Sequence, residues 1–511
     1  MNLRKFALWT VVGLIALTTN PAISSAQFID LNGDFRDGLS GWTIKDGRID
    51  LSGRGHDDDV SARLRSSDAE LTRRVAVRTG TNYRLRGRIE TSGRFGYKIG
   101  PFTRSSTASG SARNFKRRTF EFNSGVNSSI EIFCDYRNRT GRFDSITLEN
   151  LDGTESQMVH PGGWHTQEDL TTIREMVAAR REPWITGWNA ARNEGPDENF
   201  TSNPPALITS NGAMHTAGFA AWVLTMKWVA SGDQEFADAA IGVIDNWVDT
   251  VEDFDVSIAP TLTVSTGAGA MAQAAEILAH GFNGEAGWRA QDVARAQVWF
   301  RDVVYEPHTN TGLASSANFG TSALGGNMSM AIFMDDEARY NFQRQAFITG
   351  YNGIDGCNSL TDYIPFASGQ ALETGRDQSH VQGGIAHLTE AALCMLHQGD
   401  DLVYLENNRL LAGVEYHARY NLGFNDLPYN PNVPDRCNNG FSFLNATEIG
   451  SEHRGDFSPV YYMSAQLFTK AGLNHPNTRA VLSHPGYSPE PNNFAHPGLG
   501  MFTFVPDPRL D

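Results

Sequence analysis

The sequence predicts a two-part chain, an antiparallel β-sandwich followed by an all-α solenoid or toroid. Three observations predict it. Residues 27–150 alternate apolar and polar side chains at period two, in "NYRLRGRIETS", "RRTFEFNS" and "SSIEIFCDYRN", with Gly, Ser and Asn between the runs. From about residue 155 the spacing becomes helical, in "QEDLTTIREMVAARREPWITGWNAAR" and "AMHTAGFAAWVLTMKWVASGDQEFADAAIGVIDNWVDTV". The length, 511 residues, exceeds what one ordinary hydrophobic core holds.

Residues 1–26, "MNLRKFALWTVVGLIALTTNPAISSA", read as a secretory signal. Arg4 and Lys5 form its basic start, and Ser24 and Ala26 fit the small-residue cleavage rule. Its apolar run of about 12 residues is well short of the roughly 20 that a membrane span needs. The mature chain is therefore expected to begin at Gln27, secreted or periplasmic, with no membrane contact after cleavage. Residues 27–152 form the sandwich and 153–511 the helical domain. In the latter, "SGDQE" joins two helices. Further helical patterns occupy about 267–281, 287–304, 325–348, 376–398, 402–420 and 457–471. Repeated helix pairs without strands imply the solenoid or toroid. The long irregular stretches 255–265, 305–322, 349–370, 421–456 and 474–511 are where a functional cleft is expected.

Apolar and charged contents of 40% and 20% are those of a folded soluble protein. The net charge of −16 is unevenly placed. Residues 27–150 hold 22 Lys and Arg against 16 Asp and Glu, whereas residues 151–511 carry about −24. A basic module beside an acidic one either holds a polyanion or decorates a solvated β surface. Nucleic acid is excluded, because the large domain is acidic. A monomer is expected. Of four cysteines, Cys357 and Cys437 sit in Asn-rich loops and are expected to form one disulfide, while Cys394 lies in an apolar helix as a buried thiol. No CxxC or HExxH pattern points to a metal. No cofactor is expected; a structural calcium is compatible with export, but no motif indicates it.

The densest polar cluster is "ETGRDQSH", residues 373–380, directly before the apolar "GGIAHLTEAALCML". Ionisable groups are rarely buried unless paired or chemically active. On a helix, Glu373, Arg376 and His380 fall at i, i+3 and i+7 on one face. Gly375 leaves room for a close ligand, and the first helical turn favours an anion. Asp377 is expected to point partly away, hydrogen-bonding Arg409.

"HPGGWHTQEDLTTIREMVAARREPWITGW" (160–188), "ALETGRDQSH" (371–380), "NNRLLAGVEYHARYNLG" (407–423) and, more weakly, "ANFG" (317–320) resemble the catalytic domains of the alginate-lyase-like group. They look closest to polysaccharide lyase family 38. "DLNGDFRDGLSGWTIKDGRIDL" (30–51) resembles the first strands of jelly-roll carbohydrate-binding modules. The resemblance implies a jelly-roll sandwich joined to an (α/α) toroid, an anionic polysaccharide such as alginate or glucuronan as partner, and cleavage by β-elimination.

Such a reaction needs the substrate carboxylate neutralised, a base near C5 and an acid near O4. With the family's support, Arg376 is expected to bind the substrate carboxylate, Glu373 to orient Arg376 or act as a protonated neutraliser, and His380 to be the base. Asn318 matches the group's Asn-aromatic motif, although Phe319 follows it where many members have Trp; the other reading is a cap for a helix opening at 321. His215 is a second candidate base or neutraliser, or a core histidine. Tyr363, in the loop leading into the cluster, is the expected acid, with Tyr416 behind it as a substrate contact. Arg454, beside His453 in a late loop, is expected to help close the site. In the sandwich, Trp42, Tyr83, Phe95 and Tyr97 are candidate sugar platforms, with core packing the favoured reading. Two other functions fit the composition: an α/α-barrel glycoside hydrolase using two of Glu373, Asp377 and Glu415, and a non-catalytic polysaccharide-binding protein.

Overall fold

The computed structural model describes residues 27–506, apart from short stretches of which the longest are 110–114, 152–157, 256–261, 306–314, 351–356 and 488–494. The expected leader, residues 1–26, lies outside the described residues.

Among the described residues, eleven strands build the first domain: β1 (Gln27–Ile29), β2 (Thr43–Lys45), β3 (Ile49–Ser52), β4 (Ser61–Leu64), β5 (Glu70–Ala76), β6 (Asn82–Glu90), β7 (Ser92–Ile99), β8 (Phe102–Ser109), β9 (Phe115–Asn123), β10 (Ser129–Asp135) and β11 (Gly141–Asn150). One sheet runs β3-β4-β11-β6-β9, with β1 also paired to β11; the other runs β2-β5-β10-β7-β8. The named ladders of both sheets are antiparallel. Alternation decides which side chains meet between the sheets. Leu64, Leu85, Ile89, Phe143 and Leu148 from one face pack on Leu71, Phe95 and Ile132 from the other, all fully buried. Each contributes roughly 1.5–3 kcal/mol of transfer energy. Trp42, Tyr83, Phe95 and Tyr97 are all buried here, so they are core, not sugar platforms. The Trp42 indole N–H donates to the Leu31 carbonyl at 3.0 Å.

The second domain is helical: α1 (Gln167–Ala178), α2 (Trp184–Ala191), α3 (Asn211–Ser231), α4 (Gln234–Thr250), α5 (Leu262–His280), α6 (Ala290–Trp299), α7 (Asn318–Phe333), α8 (Glu337–Thr349), α9 (Leu360–Tyr363), α10 (Gln378–His397), α11 (Leu405–Asn421), α12 (Tyr461–Lys470), α13 (Pro476–Leu482) and α14 (Gly500–Thr503). A short parallel pair, β12 (Leu207–Ile208) and β13 (Asp253–Phe254), lies among them. Helices α3, α5, α7, α10 and α12 form an inner layer, with α4, α8 and α11 packed outside.

The inner helices run parallel. Ser265, Gly269 and Gln273 along α5 meet Gly326 and then Ser329 along α7. Thr321 and Gly325 of α7 meet His387 and Glu390 of α10 in the same order. Glycines let the backbones touch: a Cβ on Gly218 of α3 would lie 1.9 Å from the carbonyl oxygen of Gly267 on α5. Tyr461 on the first turn of α12 donates to Gln382 of α10 at 2.7 Å. Lys470, at the other end of α12, reaches Asp169 of α1 at 2.8 Å, and α1 packs on α3. The arc thus closes into an α/α ring whose inner helices present their N-termini at one rim and their C-termini at the other.

The pattern at 325–348 is two helices, not one. Asp336 breaks it, its carboxylate capping α8 by accepting from the Arg339 N–H at 3.0 Å. Helix α7 is buried on every side except at Phe319, so it has no amphipathic stripe to reveal its ends. The 287–304 pattern is α6 followed by a π-helical stretch, Phe300–Tyr305.

That stretch docks on the sandwich. Arg86 of β6 meets Asp302 at 2.7 Å and Glu149 of β11 at 3.2 Å, and Arg301 meets Glu149 at 2.6 Å. Arg86, Arg301, Glu149 and Asp302 are all buried. Part of the charge asymmetry is therefore consumed at this interface. Burial pushes the Asp302 carboxyl pKa up, against the pull of Arg86. Cys357 and Cys437 form the disulfide that their loops suggested, and Cys134 and Cys394 are buried thiols.

Candidate active site

At the N-terminal rim, α10 begins with Asp377 as its cap, one carboxylate oxygen accepting from the His380 N–H at 2.8 Å. The cap stops the helix there. Glu373 and Arg376 therefore stand in the preceding turn, where the Arg376 N–H donates to the Glu373 carbonyl at 2.9 Å, and not on a shared helical face with His380. The turn nevertheless brings the three side chains together.

Glu373 is the hub and is fully buried. Its carboxylate accepts from Arg376 Nη1 at 2.8 Å, the Tyr363 hydroxyl at 2.9 Å, the Asn318 backbone N–H at 3.0 Å and Asn318 Nδ2 at 3.3 Å. Desolvation raises its pKa against these donors. The Asn318 N–H is aimed at it by Ala317, which holds φ +59° and ψ −143°, a conformation costing of order 1–3 kcal/mol in a residue with a Cβ. Asn318 opens α7 itself, so the helix starts three residues before the expected 321.

Arg376 and His380 reach solvent, each with 34% of its side chain exposed. Arg376 Nη2 lies 2.9 Å from His380 Nε2. On the other side of the ring, His380 Nδ1 lies 2.6 Å from the second Asp377 oxygen. A guanidinium only donates, so Nε2 accepts and Nδ1 carries the proton given to Asp377. The neutral imidazole therefore turns its lone pair towards the guanidinium and the rim. Asp377 thus does not point away, as the sequence suggested, and it does not hold Arg409, which donates to the carbonyls of Ile364 and Pro365. The Arg376 guanidinium also sits 5.6 Å over the Phe443 ring, and Phe319 is 41% exposed beside Asn318.

Several candidates serve the cluster from behind it. Tyr363, the expected acid, is buried, and its hydroxyl is committed to Glu373. Burial pushes its pKa well up. Its ring fits because α10 has Gly384 there; a Cβ would lie 1.9 Å from the phenol oxygen. Asn318 is also buried, its amide on Glu373 instead of facing solvent. Tyr416 is buried and its hydroxyl is committed to the Pro428 carbonyl at 2.8 Å. Arg454 stacks 4.0 Å over Tyr420 and donates to Tyr420 O, Phe424 O and Asn425 Oδ1, tying its loop to the end of α11. His215 is half-buried on the second turn of α3, at the same rim, its ring 4.0 Å from Phe219. Glu415 caps α13 through Asn477 and Thr478, and Arg419 pairs with Asp426.

Residues 178–425 match the family model for alginate lyase. That stretch, within the helical domain, is similar to alginate lyase. Over 69% of its length the chain is similar to alginate lyase A1-III from Sphingomonas species A1, at 12% identity and a TM-score of 0.48, covering 98% of that structure. Over 23% it is similar to a Family 16 Carbohydrate Binding Module-2, at 17% identity and a TM-score of 0.20, covering 96% of that structure. Over 26% it is similar to the CBM22-1 xylan-binding domain from Paenibacillus barcinonensis Xyn10C, at 10% identity and a TM-score of 0.22, covering 99% of it. No curated protein matches the chain. The matched stretch holds His215, Asn318, Tyr363, the 373–380 cluster and Tyr416, and stops short of Arg454.

Sequence reasoning missed the double role of Asp377 and the loop that floors the cluster. The signal for the first is its spacing: an Asp three residues before a His, opening an apolar helix, is a cap position. The second had no signal, because Gly450 N–H to Thr374 O and Gln378 N–H to Glu452 O join residues some 75 apart.

Proposed function

We propose that the protein is a secreted polysaccharide lyase that cleaves a polyuronate, alginate or glucuronan, by β-elimination, leaving an unsaturated uronate at the new non-reducing end. The observation that carries this reading is the pair of half-exposed groups at the N-terminal rim, Arg376 and His380, with Asp377 fixing the imidazole. The match of residues 178–425 to the alginate lyase family supports a lyase, and the leader pattern of residues 1–26 supports export.

Arg376 turns its guanidinium to the substrate carboxylate, which neutralises that charge and lowers the cost of removing the C5 proton. Once Arg376 has moved, His380 Nε2 takes that proton. The electron pair becomes the C4–C5 double bond as the C4–O4 bond breaks, and the imidazolium returns the proton to O4. Asp377 stabilises the imidazolium in between. The N-termini gathered at this rim favour an anionic chain.

The three carboxylates that the hydrolase alternative would use are already committed elsewhere. Glu373 is buried under four donors, Asp377 holds His380, and both Glu415 oxygens cap α13. The test is ultraviolet absorbance from unsaturated uronate on polymannuronate, polyguluronate and glucuronan, with methyl-esterified pectin as the weak control. New reducing ends without that absorbance would mean a hydrolase. No cleavage of any polyuronate would leave a binding protein.

A further inference from the structure

A second cluster of chemistry-bearing side chains lies at the opposite rim. Glu276 and His280 stand one turn apart at the C-terminal end of α5. His160 comes from the segment entering α1, and Asp335 directly follows α7. The His160 and His280 rings stack at 4.4 Å. His160 Nδ1 lies 2.9 Å from Glu276 Oε1, and His160 Nε2 lies 3.1 Å from Asp335 Oδ1. His280 Nε2 lies 3.8 Å from Glu276 Oε2. Helix α7 separates Asp335 from Asn318, so the two rims are about 25 Å apart at 1.5 Å per residue.

We propose that His160, Glu276 and His280 form a binding site for one zinc ion, with Asp335 orienting His160. Four observations carry this. The three ligand atoms all lie within 4.8 Å of one another. Tetrahedral zinc, with bonds of about 2.1 Å, needs them about 3.4 Å apart, so small side-chain shifts suffice. Among the described residues, the buried atoms Glu276 Oε2 and His280 Nε2 have no hydrogen-bond partner, and Glu276 is only 1% exposed. Such atoms are costly unless a ligand satisfies them. Two imidazoles and a carboxylate are the donor set of zinc rather than of calcium or magnesium, which take oxygen ligands. Lastly, a carboxylate on the far nitrogen of a ligating His is the usual outer partner, and Asp335 occupies that place.

The location suits a cation. Helices α5 and α7 end here, and the C-terminal end of a helix carries partial negative charge. His160 and His280 keep 17% and 25% of their side chains exposed, which gives an entry path. A bound ion would pin the segment entering α1 to α5 and α7, far from Arg376 and His380. Its role is therefore to stabilise the ring, and it is independent of the lyase reading. No short-range pattern marks it, because His160 stands 116 residues from Glu276.

The test uses the full mature chain without a polyhistidine tag, stripped with chelator. Zinc chloride is titrated by calorimetry, and retained metal is measured after dialysis. One zinc per chain and a rise in Tm on adding zinc are expected. His280→Phe keeps the stack on His160 but removes the ligand nitrogen, and Glu276→Gln keeps an acceptor for His160. Both should lose at least 100-fold in affinity while keeping the metal-free Tm and circular dichroism of the parent. Asp335→Ala should weaken binding by roughly 10–100-fold. No stoichiometric zinc binding, equal binding by His280→Phe and Glu276→Gln, or a preference for calcium or magnesium would overturn the proposal.

Discussion

One carboxylate of Asp377 does two jobs for His380: it accepts the backbone N–H at 2.8 Å and sits 2.6 Å from Nδ1 of the ring. The start of α10 and the tautomer of the candidate base are therefore fixed by the same side chain. Asp377→Asn separates the two. Asn caps a helix about as well as Asp, but its amide can donate to Nδ1 and select the other tautomer. The variant is expected to keep its Tm and to lose roughly 10²–10⁴ in kcat on polyuronate. An unchanged kcat in the absorbance assay would remove His380 from the mechanism.

Tyr363→Phe is expected to behave oppositely. The phenol is buried on Glu373 and cannot reach a sugar oxygen. Its loss removes one of four donors to a buried carboxylate, at about 1–3 kcal/mol. Denaturant unfolding should report that loss, while kcat stays within about threefold. A kcat drop of 10²-fold or more at unchanged stability would restore Tyr363 as the acid.

The domain interface offers a third test. Arg86→Ala leaves Asp302 and Glu149 buried with fewer cations. Breaking one partner of a buried ion network costs about 3–5 kcal/mol. Calorimetry of the variant is expected to show the sandwich and the ring unfolding separately, where the parent unfolds them together.

Stability should fall steeply in acid. Burial pushes the pKa of His165, His387 and His417 down to about 4, and of His397 and His496 to about 3. An unfolded chain takes up these protons near pH 6.5, the folded one only near 4 or below. The stability they carry is thus complete above about 6.5 and is lost as pH falls towards 4. Asp169, whose burial opposes ionisation but is outweighed by Lys470 and His397, is held at about 2, so its share is lost only below about 4. Urea midpoints by circular dichroism should drop between pH 6.5 and 4, and a flat profile would refute this.

The sequence by itself determined what depends on local spacing. Period-two alternation marked the sandwich, and helical spacing marked the ring. The density of charge before an apolar run marked 373–380, because such groups must be paired or exposed wherever the chain takes them. Two loop cysteines suggested their own bridge. Tertiary structure alone decided which polar groups face water. Tyr363, Asn318, Tyr416 and Arg454 are chemically eligible, but burial or full hydrogen-bonding turns them into supports, and burial is set by neighbours far along the chain. The ends of α7 were illegible for the same reason: a helix buried on every side carries no stripe. The His160–Glu276–His280 group is likewise a product of ring closure, which brings distant residues into contact without leaving any short-range trace.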